Sequence, residues 1–479
     1  MNRYFVYMLL AFLFSMTNAC ASDNYISTQK VSLDELGTKY NITEFGVISD
    51  STLIQTNQIQ SVIDQIHKNG GGTLYIPAGT FCSGSLFFYQ GVNLYLEEGA
   101  KLKGSERIRD YKLAETRIEG KTVKFFTALV NADNVDGFCI LGPGTLDGNG
   151  HYYWEEFWLR SEWNPGASSM DTMRPRLVYI SNSQNVVLQD VILQNSAFWT
   201  SHLYKCNNVR YLDCSFYAPT ENVYSYRPYR GAPSTDGIDI DNCNDIFIYG
   251  CYFSVNDDAI ALKGGKGTYA DTLPENGPNY NVTIDNCTFH KGYGCLTLGS
   301  ESIWNYDIVL KNSKSINMIR VLRLKMRPDT PQKYERVTIE NMQGYADYGL
   351  DIQPWTQFTE VEERDNMPMT VCTDITIQGL NMNFKDFFHV QLSEDYNLKR
   401  FSFLNSIVTD ETNSFDPHLI EDTKVENFTY NGNSFTTDVS AKFKAINSNK
   451  RTYRLNGIDT NSSYIKGVLI QENKKIIKK

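Results

Sequence analysis

Asn281-Val-Thr-Ile-Asp-Asn-Cys-Thr-Phe289 is the stretch that decides the fold. Val282 and Ile284 alternate with polar neighbours, Asp285-Asn286 interrupts, and Cys287-Thr-Phe289 resumes the alternation. A period of two is that of a strand buried on one face, and an Asp-Asn pair is turn chemistry. The same phrase stands upstream as Asn185-Val-Val-Leu-Gln-Asp-Val-Ile-Leu193, Asn208-Val-Arg-Tyr-Leu-Asp-Cys-Ser-Phe216 and Asp245-Ile-Phe-Ile-Tyr-Gly-Cys-Tyr-Phe253. It continues as Asp307-Ile-Val-Leu-Lys-Asn-Ser313, Arg336-Val-Thr-Ile-Glu-Asn-Met342 and Asp374-Ile-Thr-Ile-Gln-Gly-Leu380. The starts lie about 23 to 38 residues apart, and helical periodicity is nearly absent between them. Repeated strand-turn-strand units of that length predict the coils of an all-β parallel β-helix, a solenoid. Each coil buries its inner face on the next, so none is stable alone and the ends need caps.

One cap is legible. Thr56-Asn-Gln-Ile-Gln-Ser-Val-Ile-Asp-Gln-Ile-His-Lys68 places Ile59, Val62, Ile63 and Ile66 at helical spacing, and Asn69-Gly-Gly-Gly72 stops the helix. Thr73-Leu-Tyr-Ile-Pro-Ala-Gly79 then reads as the first strand. From about Tyr396 strand character persists without chemical motifs, and Lys474-Lys-Ile-Ile-Lys-Lys479 reads as a solvated end.

The chain has 479 residues, 41% hydrophobic and 13% aromatic, which is too apolar for disorder. Its net charge of −10 argues against nucleic acid as a partner. An acidic polymer stays open, because a local basic cluster can bind one against the global charge. At the N-terminus Arg3, the apolar Tyr4–Met16 run and Asn18-Ala-Cys-Ala-Ser22 form a secretory signal with an Ala-x-Ala site. Thr17-Asn-Ala-Cys20 is also a loose lipobox, which makes a lipid anchor at Cys20 an alternative route. No later run is long and apolar enough for a membrane span. The expected product is exported: periplasmic, held as an outer-membrane lipoprotein, or secreted. The expected layout is a signal peptide over 1–21, an extension over 22–44 and a single β-helix domain over 45–475, as a monomer. Of ten cysteines, Cys206/Cys214, Cys243/Cys251 and Cys287/Cys295 are each eight apart, and Cys214, Cys251 and Cys287 recur at one place in the repeat. Small buried thiols stacked between coils explain that pattern better than bridges.

The chemistry gathers in four short blocks. Ser234-Thr-Asp236, Asn256-Asp-Asp258, Gly292-Tyr-Gly294 and Arg323-Leu-Lys325 follow one another in order. Acid-base cleavage of an acidic sugar polymer needs one carboxyl to protonate the leaving oxygen and another to activate water. Three clustered carboxylates cannot all ionise freely, so one is held protonated. The Arg-Leu-Lys alternation puts Arg323 and Lys325 on one face of a strand, a fork and a point charge for one anion. Adjacent Asp257 and Asp258 reach one cleft only if the backbone bends between them.

The four blocks resemble those of glycoside hydrolase family 28, the polygalacturonase family, whose usual forms are Asn-Thr-Asp, Gly-Asp-Asp, Gly-His-Gly and Arg-Ile-Lys. Gly144-Thr-Leu-Asp-Gly-Asn-Gly150 with Trp154, Arg174-Pro-Arg-Leu177, and Asn195-Ser-Ala-Phe-Trp-Thr200 followed by His202 resemble bacterial members. The resemblance covers roughly 45–400 and implies a right-handed β-helix. It implies Asp257 as general acid, Asp236 and Asp258 as holders of the attacking water, and Arg323 and Lys325 as the galacturonate carboxylate site. It further implies inverting hydrolysis of α-linked galacturonic acid, or of a related uronate or rhamnogalacturonan linkage, in pectin-type plant polysaccharides or oligosaccharides. No cofactor is implied, and no Cys-x-x-Cys or His-Glu-x-x-His cluster suggests a metal. The chain departs from the family pattern at Ser234, Asn256 and Tyr293. A tyrosine hydroxyl in place of histidine donates a hydrogen bond but is a poor proton shuttle. His290, three residues earlier, is the nearby histidine that could stand in for it.

Other residues have weaker readings. Trp199 and His202 are expected at a sugar subsite, with Tyr293 on the substrate side. Asp239 and Asp241 read as turn or strand-edge residues, and His389 and His418 as structural. Trp154, Trp158 and Trp163 lie in a polar insertion and either wall the cleft or anchor a loop. Insertions at Trp158–Met173 and Gly264–Pro278 are placed to close one end of the cleft, which favours exo-action. Two alternatives remain: a pectate-type lyase on the same fold, and a non-catalytic glycan-binding β-helix.

Overall fold

The computed structural model describes residues 26–359 and 362–438 and short strands at 452–454, 467–471 and 474–478. The signal segment and Cys20 lie outside the described residues.

The repeat forms a right-handed parallel β-helix with three strand ladders. One ladder stacks Gln184–Gln189, Asn207–Leu212, Asn244–Tyr249, Asn279–Asp285, Trp304–Lys311, Lys333–Glu340 and Thr370–Gln378, all parallel. Its register places Val186, Val209, Ile246, Val282, Ile308, Val337 and Ile375 in one buried column. In the next ladder Phe216, Phe253 and Phe289 stack at ring separations of 4.8 and 5.3 Å. Such columns stabilise the solenoid through apolar area that no single coil can bury.

The turn residues of the repeat have a backbone reason. Asn185, Asn208, Asp245, Asn281, Asp307, Arg336 and Asp374 all have φ between 50 and 58°. Asn and Asp tolerate this left-handed conformation better than other side chains. Their amides also bond between coils, as in Asn208 Nδ2 donating to Asn185 Oδ1 at 2.6 Å.

The capping helix spans Thr56–Lys68, with Ile59, Val62, Ile63 and Ile66 buried. Two strands, Lys39–Asn41 and Asp50–Ile54, precede it, so the Gly72–Ile76 strand is not the first. Lys39–Asn41 pairs in parallel with Thr73–Tyr75, within the stretch read as an extension. Val31 and Leu36 pack on the outside of the solenoid with Leu141, Val187, Leu212 and Phe247. At the other end the main sheet runs to Asn433–Asp438. The strands at 452–454, 467–471 and 474–478 form a separate antiparallel sheet. Eight cysteines are free and buried, as the spacing predicts. Cys139 is the exception, being disulfide-bonded.

The polar insertion holds a helix that the sequence pattern does not announce, His151–Trp163. It buries only Tyr153 and Trp154, so no clean apolar stripe marks it.

Candidate active site

The remaining ladder carries the site on its outer face. Its strands include Ser201–Tyr204, Ile238–Asp241, Ile260–Leu262, Leu296–Leu298 and the second halves of Lys314–Met326 and Gln343–Pro354. Ile238, Ile240, Ile260, Leu262, Leu322 and Leu324 point inward and are buried. Register therefore sets His202, Asp239, Ala261, Thr297, Arg323, Asp351 and His389 in one outward column.

Asp257 and Asp258 lie at a bend between Tyr252–Ser254 and Ile260–Leu262. That bend is the backbone departure the adjacent acids require. Asp236 sits just before the Ile238–Asp241 strand. One carboxylate oxygen from each of Asp236, Asp257 and Asp258 lies within 4.8 Å of the others. Among the described residues this is the one acidic trio close enough to hold a cation, but lysine and arginine already supply its counter-charge. The spacing is shorter than the about 6.5–9.5 Å between acid and base in most inverting hydrolases. Here a third carboxyl, rather than a wide gap, gives the site its additional acceptor. Gly294 makes room for the cluster, because a Cβ there would lie 3.0 Å from Asp258 Oδ1 and 2.4 Å from Thr297 Oγ1.

The three acids are electrostatically unlike. Lys325 Nζ is 2.7 Å from Asp258 Oδ2 and Arg323 Nη1 is 3.5 Å from Oδ1. Burial opposes ionisation of Asp258, but Lys325 and Arg323 outweigh it and hold its pKa well below the usual carboxylate range. Asp257 is pushed up, first by burial and then by the charge of Asp258. Asp236 is pushed up further, by burial and then by Asp239 and Asp257. The trio thus holds one firmly ionised carboxylate beside two whose pKa values are pushed up. Oδ1 of Asp258 is buried with no hydrogen-bond partner, so it remains available as an acceptor.

A cavity of about 480 Å³ opens over the trio. Asp236, Asp257, Ser234, Asn256, Tyr293, Trp199, Arg323 and Lys325 line it, and Asp258 lies buried at its floor against Lys325. Tyr293 is 40% exposed, and its backbone N–H donates to Asp257 O at 2.9 Å. His290 does not line the cavity; it stacks on Tyr252 and contacts Ser254. His202 does not line it either. It is fully buried behind Trp199, with Nδ1 2.7 Å from Arg176 Nη1 and Nε2 3.6 Å from Asp241. It therefore packs behind the residues that line the cavity. Trp158 lines the cavity, Trp154 is a buried anchor bonded to Ser196 O, and Trp163 is 88% exposed.

Several residues of the site are absent from the four blocks. Lys263 lies 3.5–3.7 Å from Asp236, Asp239 and Glu301 and over the Trp199 ring. Asp239 and Asp241 are not turn or edge residues. Both are fully buried in the strand, Asp241 paired with Arg117 at 2.9 Å and Asp239 pushed up to about 7 by burial, against the pull of Lys263. Trp355 lies under both cations, 5.0 Å from Arg323 and 4.9 Å from Lys325. His389, read as structural, joins the edge of the site through Asp351, which also meets Arg323 and Arg320. The Ile-Asp-Ile-Asp alternation signals an outward polar face, but not that Arg117, from the hairpin Leu113–Ile118/Lys121–Phe126, covers it.

Comparison with known proteins adds an independent line. The profile of Glycosyl hydrolases family 28 matches residues 75–392. A probable polygalacturonase from Vitis vinifera is 26% identical over 291 residues, 57% of this chain and 55% of that relative. An exo-poly-alpha-D-galacturonosidase from Dickeya chrysanthemi is 26% identical over 331 residues, 60% of this chain and 52% of that relative. The chain thus spans about half the length of these curated relatives. The crystal structure of a hyperthermoactive exopolygalacturonase from Thermotoga maritima superposes with a TM-score of 0.69 at 20% identity, covering 83% of this chain and 93% of that one. That likeness is one of fold.

Proposed function

The chain belongs to glycosyl hydrolases family 28, and from that premise we propose that it is an exported, inverting hydrolase of pectin-type polysaccharide, cutting at a galacturonate from a chain end. The observation that carries the reading is the carboxylate trio set beside Arg323 and Lys325 in one cavity. Asp257, which favours its proton, donates it to the leaving glycosidic oxygen. A water held between Asp236 and Asp258 attacks the anomeric carbon as that bond breaks. Its proton passes to Asp258, the ionised member of the trio. Exchange with solvent then restores Asp257 to the acid and Asp258 to the carboxylate.

Arg323 and Lys325 have two tasks in this scheme. They bind the substrate carboxylate, and they hold Asp258 ionised. A bound uronate shares their charge, which makes Asp258 a stronger base when the water must lose its proton. Tyr293 lines the leaving side as a hydrogen-bond donor, without the proton relay that histidine would supply. Exo-action is supported by the insertion helix and the loop after Lys263, both of which border the cavity. The N-terminal Arg3, apolar run and Ala-x-Ala site support export, with lipidation at Cys20 as one route. Among the described residues no helix is long and apolar enough to cross a membrane.

The test is to incubate the protein and an Asp257→Asn variant with pectic oligosaccharides and follow products by proton NMR. Release of a β-configured reducing sugar by the wild type alone supports the reading. An unsaturated product absorbing in the ultraviolet, or no turnover, overturns it.

A further inference from the structure

One wall of the cavity is aromatic. Trp199, Phe198, Phe157 and Trp158 all line it. Trp199 stacks on Phe198 at 5.0 Å, Arg174 bridges Phe198 and Phe157 at 4.7 and 4.5 Å, and Phe157 meets Trp158 edge-on at 5.0 Å. At one end of this wall Lys263 lies over Trp199 and beside Asp236. At the other end Arg230 lies 4.3 Å over the Trp158 ring and 5.5 Å from that of Tyr229.

The loop 219–233 fixes Arg230 at the cavity rim. Arg227 pairs with Glu162 of the insertion helix, Tyr224 Oη donates to the same carboxylate at 3.1 Å, and Ser225 Oγ donates to Glu155 at 2.9 Å. Trp158 Nε1 donates to Gly231 O at 2.9 Å. A Cβ on Gly231 would lie 2.2 Å from Oδ1 of Asn256, another residue of the lining. The residue that follows Arg230 thus touches two residues of the cavity.

The two arginines of this loop differ in one respect. Arg227 is committed to Glu162. Arg230 has no carboxylate within 4.0 Å among the described residues, and its guanidinium makes no hydrogen bond to them. It reaches Glu162 only as a more distant charge. Lys263, Arg323 and Lys325, by contrast, each have an acid of the site within 3.7 Å. A guanidinium over an aromatic ring is held in place through that face and keeps its N–H groups for a partner at its edge. A carboxylate is the partner such a fork matches.

We propose that Arg230 is a second carboxylate site of the cavity, taking a uronate unit other than the one at Arg323 and Lys325. The substrate is then a stretch of polymer with free carboxylates on two units, lying along the aromatic wall. This rests on the hydrolase reading above and narrows the substrate class that reading leaves open.

The experiment measures binding by calorimetry to the full protein carrying Asp257→Asn, which does not consume the ligand, and to the same protein carrying Arg230→Gln as well. The ligands are tetragalacturonate and its four mono-methyl esters, each masking one carboxylate. Masking is expected to weaken binding to the Asp257→Asn protein by about tenfold at two positions, the size of one hydrogen bond to a charged group. Arg230→Gln should weaken tetragalacturonate by a similar factor, abolish the sensitivity at one of those positions and keep it at the other. Arg230→Lys should recover part of the loss. Unchanged affinity in the Arg230→Gln protein, weaker binding of every ligand with both sensitivities intact, or no binding of any ligand overturns the subsite. Wild-type turnover of tetragalacturonate is followed in parallel. Its absence, with Arg230-dependent binding retained, overturns the hydrolase reading and leaves the subsite standing.

Discussion

The two ends of the cavity are built from similar residues, and each holds one carboxylate ionised beside a second that is pushed up. At the open end Arg323 and Lys325 face Asp258, over the Trp355 ring, and Asp258 is held ionised. At the end bordered by the insertion and by the loop after Lys263, Lys263 and Lys266 stand among Glu119, Glu301, Asp236 and Asp239; Glu301 is held ionised, and burial and then its charge push Glu119 up. Both ends pair their cations with buried carboxylates. What differs is how many each lysine meets among the described residues, three within 3.7 Å of Lys263 against Asp258 alone at 2.7 Å from Lys325. Basic residues in a cleft therefore do not by themselves make an anion site; the surplus of charge does.

The largest test lies at the junction. Asp257→Asn removes the proton donor for both ends, and kcat is expected to fall by about 10²–10⁴-fold on every cleaved substrate, read by initial rates. Next, Lys325→Ala should break the open end. Asp258 loses the first of the charges that depress its pKa, so its pKa rises and a higher pH is needed to ionise it. The acidic limb of the kcat/KM profile should move to higher pH, and a limb that stays in place would contradict the role given to Lys325. Removing one partner of this buried pair should also cost about 3–5 kcal/mol of stability, measured by chemical denaturation.

Trp355→Ala sharpens the same end. Loss of its ring beneath two cations should weaken uronate-containing substrates by about 2–30-fold, the range of a cation–π contact of about 0.5–2 kcal/mol, with KM affected more than kcat. The smallest effect on turnover is expected at His202. Burial holds its pKa at about 4, below the about 6.5 of an unfolded chain. From pH 6.5 down to 4 the unfolded state gains a proton that the folded state refuses, so stability falls across that window. His202→Gln should flatten that part of the thermal midpoint's pH dependence and leave the acidic limb of kcat unmoved. A shifted limb would return His202 to the reaction.

Much of the architecture was written locally. Alternation in Asn281–Phe289 and its repeats gave the strands, and Asn or Asp at every repeat start but Arg336 matches a left-handed turn. The cap helix emerged over Thr56–Lys68 because its apolar stripe is unbroken. The insertion helix His151–Trp163 was not legible, since it is anchored by two aromatic residues alone. The two adjacent acids were readable as a motif, yet their convergence depends on the bend at 256–257.

Sequence by itself determined the solenoid, the cap and the identity of the acids and cations in the four blocks, because each is encoded by neighbours along the chain or by a short ordered motif. The tertiary structure alone decided which charges meet. Glu119 arrives from a hairpin, Glu301 and Lys263 from separate coils, and Arg117 covers Asp241. Stacking coils brings residues far apart in sequence within a few ångströms, and Coulomb interactions in a buried site depend on that distance rather than on sequence separation.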